Sequence, residues 1–131
     1  MTRLLQLLAG LALTTATALT FAQDAPTLDG KWSATFANKS GADRQAELVI
    51  EGHGGSWKVF ANARQAKNNA CLGRSFPIAV ETTSATELRI RIEASSAVEG
   101  CGEGDITAKV VDGKTLEGQF GDGRPIRLVR P

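Results

Sequence analysis

Residues 105–120 read DITAKVVDGKTLEGQF. Ile106, Ala108 and Val110 alternate with polar residues, Asp112-Gly113 interrupts them, and Leu116 and Phe120 resume the pattern. Successive side chains of an extended strand point to opposite faces, so apolar residues at period two mark a strand with one buried face. Asp-Gly between two such runs is a two-residue hairpin signal. The stretch predicts two antiparallel neighbours, Asp105–Val111 and Lys114–Phe120, joined tightly.

The same alternation continues upstream. Glu87–Ala94 sets Leu88, Ile90 and Ile92 against Arg89, Arg91 and Glu93. Phe76–Glu81 aligns Phe76, Ile78 and Val80, and Pro77, which has no amide to donate to a ladder, places that strand at an edge or a closure seam. Ser56–Ala63 turns Trp57, Val59 and Ala61 inward, Gln45–Glu51 does so with Ala46, Leu48 and Ile50, and Gly30–Asn38 with Trp32, Ala34 and Phe36. Downstream, Pro125–Arg130 contributes Ile126 and Leu128, while Phe60 and Val111 point outward. Eight short strands with frequent turns and no sustained helical periodicity describe an all-β barrel or sandwich. Tight connections favour a meander over a Greek key, and closure removes exposed edges. The expected fold is an eight-stranded antiparallel up-and-down barrel with an interior filled by apolar side chains.

The amino end has the layout of a secretory signal peptide over residues 1–22. A basic start (MTR) precedes an uncharged Ala/Leu/Thr-rich core, and TFA at 20–22 offers a small residue before Gln23. Cleavage there leaves residues 23–131 as one barrel domain without a membrane span, in the periplasm or secreted. Of the 15 basic residues Arg3 lies in the leader, so the rest of the chain sets its bases evenly against 14 acids. A balanced chain has no global field to gather nucleic acid or anionic lipid.

Cys71 and Cys101 are the only cysteines. In an exported chain an even pair reads as a disulfide, and no C-x-x-C spacing marks it as redox-active. Two long loops carry the pair, NARQAKNNACLGRS (62–75) and SSAVEGCGEG (95–104). Loops of this length more often carry function than tight turns do. Arg64, Lys67 and Arg74 lie on the first and are candidates for recognising a partner.

GKW at 30–32, opening the first strand of such a barrel, resembles the calycin superfamily, the lipocalins and avidins together, and LDGKW (28–32) is especially similar to the avidin opening. In those families the Trp packs at the closed end of the barrel and the Gly lets the chain pass close beneath it. The resemblance implies those roles for Trp32 and Gly30. TLEGQFGDGRPIRLVRP (115–131) also looks like the final hairpin of many small bacterial exported barrels of unassigned function. The departures are as informative. Avidins turn polar side chains inward after the Trp, where this chain has Ala34 and Phe36, and the Tyr used inside avidin barrels has no counterpart in a sequence without Tyr. Biotin is therefore not the expected ligand, and the short chain implies shared architecture without a lipocalin-sized pocket. TLDGKW (27–32) and TLEGQF (115–120) echo one another as strand beginnings with a Gly where backbones crowd.

Catalytic signals are weak. His53 in EGHGGS is the only histidine, with Glu51 the one ligand type beside it and no nucleophile context around Ser56. Glu99, Glu103 and Asp105 offer carboxylates without the spacing of a calcium loop. Arg89, Arg91 and Lys109 form an outer charged face. No cofactor and no metal is implied. The expected role is that of a non-catalytic binding module, with an enzyme, a hydrolase for instance, ranked below it. Its first form recognises a protein or cell-envelope component through the disulfide-linked loops. Its second carries a small apolar ligand in the barrel mouth, with Trp32, Trp57 and Phe76 as contacts. A cavity lined by those rings favours the carrier, and a filled interior favours recognition.

Overall fold

Period-two strands with tight turns leave the chain one economical course, and the computed structural model, which describes residues 10–16, 27–102 and 104–131, follows it. The strands are β1 (Gly30–Ala37), β2 (Asp43–Glu51), β3 (Gly54–Val59), β4 (Ser75–Thr83), β5 (Glu87–Ile92), β6 (Gly104–Asp112), β7 (Thr115–Phe120) and β8 (Pro125–Val129). Each pairs antiparallel with the next, and β8 returns to β1 to close the barrel. The closing ladder joins Ser33, Ala34, Thr35 and Phe36 to Val129, Leu128, Arg127 and Ile126. The inward residues expected from the alternation are buried, apart from Phe36, Val59 and Val110, which are partly buried against the core, and Ala61, which lies beyond β3 and is half-buried. Phe60 and Val111 are exposed. Most of the leader, with its cleavage point at Ala22, lies outside the described residues. Among the described residues no helix is long and apolar enough to cross a membrane.

Three local departures have identifiable causes. The third strand ends at Val59, short of Ala63, because Asn62 caps a helix α1 (Ala63–Asn68). Asn62 Oδ1 accepts from the Gln65 amide and Gln65 Oε1 accepts from the Asn62 amide, a reciprocal capping box. The fifth strand stops at Ile92 and a single turn, α2 (Ala94–Ala97), follows. In the β6–β7 hairpin the turn falls on Gly113 and Lys114, with Asp112 Oδ1 accepting from the Lys114 amide at 2.8 Å. The register slips between Val110 and Asp112 in a bulge, and Val111 is exposed as the alternation expects.

Pro77 does not sit on an edge: β4 has partners on both sides. Its ladder to β3 contains only Ser56 with Pro77, Trp57 with Phe76 and Lys58 with Ser75, the shortest junction in the barrel.

At one end a compact arrangement plugs the barrel. Trp32 is fully buried, and its indole Nε1 donates to the Leu28 carbonyl at 2.9 Å. The Arg130 guanidinium stacks 4.3 Å from the ring centroid and donates to the carbonyls of Asp29 (2.8 Å) and Thr27 (2.7 Å). One cation thus covers the ring face and satisfies two carbonyls of the segment leading into β1. Gly30 completes the arrangement at φ +116°, where a Cβ would meet Arg130 Nη1 at 3.2 Å. Gly118, its counterpart in the echoed motif, serves a different purpose: a Cβ there would run into the Thr107 carbonyl and Ala108.

Replacing Arg130 by Ala removes a cation–π contact and two charge-assisted hydrogen bonds, and should lower unfolding free energy by about 2 kcal/mol. Urea denaturation measures this. An Arg130→Lys protein, which keeps the charge without the planar fork, should recover less than half of the loss.

Candidate functional site

In a meander, alternate connections lie at the same end of the barrel. The β1–β2, β3–β4, β5–β6 and β7–β8 connections therefore gather opposite the Trp32 plug. Between the two ends the interior is packed: Leu48, Ile50, Leu88, Ile90, Ile106 and Leu116 have almost no exposed surface. Above them sits an aromatic layer. Phe36 and Phe120 meet edge-to-face at 5.0 Å, Trp57 and Phe120 at 6.2 Å, and Phe36 and Trp57 lie tilted at 5.8 Å.

Over this layer the mouth holds a recess of about 300 Å³. Its walls are Trp57 and Val59 from β3, Phe76 from β4, Ile92 from β5 and Phe120 from β7. The two long loops form its outer side, where Cys71 and Cys101 are joined and Leu72 lies beside them. The disulfide ties the α1 loop to the α2 loop. Small residues, Ala94, Gly102 and Gly104, leave the space that bulkier ones would fill.

Two cations, Lys39 and Arg124, line the same recess. Arg124 is held in place: Nη1 donates to the Ala37 carbonyl (2.8 Å), Nε donates to Asp122 Oδ2 (2.7 Å), and the guanidinium carbon lies 4.6 Å from the Phe120 centroid. Asp122 is pulled below the usual carboxylate range, first by that side-chain hydrogen bond and next by the one from the Arg124 amide, with Lys39 the smallest contributor. Asp122 is thus ionised at neutral pH and offsets Arg124. Lys39 is exposed and forms no ion pair within 4 Å among the described residues. Among the described residues no carboxylate lines the recess.

The expected site residues separate into groups. Trp57 and Phe76 are direct register partners and share the recess. Trp32 is not with them: it lies at the opposite end under Arg130. Arg64 and Lys67 are on α1 and Arg74 precedes β4; all three are exposed, outside the recess lining, and without an ion pair among the described residues. Of the outer-face cations, Arg91 bridges Glu81 (3.2 Å) and Asp105 (3.6 Å), and Arg89 pairs with Glu87 (3.7 Å).

His53 is exposed in the β2–β3 turn at the plugged end, lining a recess of about 260 Å³ with Asp29 and Ser84. Ser84 Oγ is engaged in its own turn by the amides of Thr86 and Glu87, and Asp29 Oδ1 accepts from the Gly52 amide. Glu103 lies outside the described residues, and among the described residues no three ligating side chains gather. Sequence reasoning missed Lys39, Arg124 and Arg130.

No family model matches the chain, and no curated protein matches it. Among solved structures, a redesigned β-barrel is similar at TM-score 0.50 and 17% identity, covering 79% of this chain and 91% of its own. A second redesigned barrel, mFAP1 bound to DFHBI, aligns at TM-score 0.43 and 14% identity over 79% of this chain and 94% of its own. The first likeness is one of fold alone.

Replacing both cysteines by Ser should lower stability by roughly 3–4 kcal/mol through loop-closure entropy. The check is denaturant unfolding of oxidised wild type beside the double variant, with far-UV circular dichroism confirming that the barrel persists.

Proposed function

We propose that the protein is an exported, non-catalytic binding module of calycin-like type that holds a small apolar ligand in its barrel mouth. One observation carries the reading: above a barrel interior whose described side chains are packed, Trp57, Phe76 and Phe120 bound an open recess of about 300 Å³ beneath the disulfide-linked loops. Ligand sites are typically apolar concavities with a few polar groups, which is the make-up of this lining. The calycin-like assignment draws support from Trp32 and Gly30, which occupy the plugged end as the resemblance implies. Export rests on the leader layout of residues 1–22.

A second reading has its own support. Arg64, Lys67 and Arg74 are exposed and uncommitted to ion pairs among the described residues, and they project from the disulfide-linked loops. That suits recognition of an anionic protein or envelope component.

Octan-1-ol titrated into the mature protein should change Trp57 emission saturably, while a Trp57→Phe protein, whose remaining tryptophan is Trp32, should stay silent. A flat wild-type titration up to the solubility limit would reject the mouth as a ligand site and leave the basic loop surface as the better reading. Export has a separate check, because the intact mass of the periplasmic or secreted protein should correspond to a chain beginning at Gln23.

A further inference from the structure

Resting on the mouth as the ligand site, we propose that its ligand is an amphiphile with an anionic head, a carboxylate or sulfonate on a short apolar body. The two parts of the recess differ in chemistry. Its depth is ring and aliphatic carbon from Trp57, Val59, Phe76, Ile92 and Phe120. Its own charged lining among the described residues is Lys39 and Arg124, and the adjoining recess that shares them adds Asp122, bonded to Arg124, and Asp105, bridged by Arg91. A purely apolar ligand would leave Lys39 unused, and a cationic head would meet it with like charge.

The cations divide the work. Arg124 is fixed by the Ala37 carbonyl, Asp122 and the Phe120 ring, so its place in the rim is set before any ligand arrives. Its charge is largely answered by Asp122, 2.7 Å away. Lys39 supplies the charge left over. It stands in the β1–β2 turn, whose shape is held by Asn38, with Oδ1 accepting from the amides of Ser40 (3.0 Å) and Ala42 (2.9 Å). The turn does not depend on the lysine side chain, which is free to meet a head group. The volume sets the size: at about 30 Å³ per water-sized group, about 300 Å³ accommodates a body of roughly ten heavy atoms. The part of the ligand inside the mouth is then an eight-carbon chain or a substituted ring, with a longer tail projecting into solvent.

The test compares octanoate, octylammonium and octan-1-ol by Trp57 emission at low ionic strength. Octanoate should bind about ten-fold more tightly than octylammonium, since the same rim attracts one and repels the other by the energy of an exposed ion pair. Lys39→Gln should cut that preference roughly three- to five-fold, and Lys39→Glu should abolish it. A preference that is absent, reversed or unmoved by Lys39→Gln, with octan-1-ol still binding, overturns the anionic head and leaves the recess reading standing. Failure of octan-1-ol and both ions together overturns the recess reading itself.

Discussion

Closure of β8 onto β1 is the constraint from which the rest of the molecule follows. A closed sheet of eight strands encloses a space that opposing side chains can just fill. Every inward position then packs against the others across the axis, and none faces water unless it lies at an end. Trp32, Ala34 and Phe36 on one strand show how the filling is arranged: a large ring, a small residue, and a ring again. The ends are where the structure has freedom, and it treats them oppositely. One is plugged by an indole beneath a guanidinium; the other is left concave beneath two loops.

Strand identity and the inward faces were legible because period two is a property of the chain alone. Leu88, Ile90 and Ile92 are buried whichever neighbour they acquire. Boundaries were less legible, because they are decided by competing local chemistry. Asn62 and Gln65 satisfy one another's backbone amides and end the third strand early, and six residues of α1 are too few to display a helical period. The spacing Asn-x-x-Gln was the available signal. Val111 was read correctly as outward from the alternation alone, whereas the bulge beside it depends on how β6 and β7 register.

The site was half legible. Trp57 and Phe76 are register partners on β3 and β4. Reading the third strand as Ser56–Ala63 sets Trp57 near its start and so at the same end as Trp32; β3 runs instead from Gly54 to Val59 and holds Trp57 in its second half, nearer the mouth. Lys39 and Arg124 had no such handle. Their role arises only once the β1–β2 and β7–β8 turns are brought together by closure. Arg130 looked like one more strand-end cation, and its partners, Thr27 and Asp29, lie 103 and 101 residues away.

The disulfide also bears on how the chain reaches this shape. Its cysteines are 30 residues apart and bracket β4 and β5, whose mutual pairing is local. Closure joins segments from the two extremes of the barrel sequence, the kind of distant contact that slows folding most. Because closure entropy grows with the length of the intervening chain, a covalent shortcut through the middle shortens the path that the two arms must search. A disulfide formed before closure would tether the loops around the mouth while β1 and β8 are still apart. The disulfide and the latch thus fasten opposite ends of the barrel, one across a 30-residue separation, the other through contacts between the extremes of the barrel sequence.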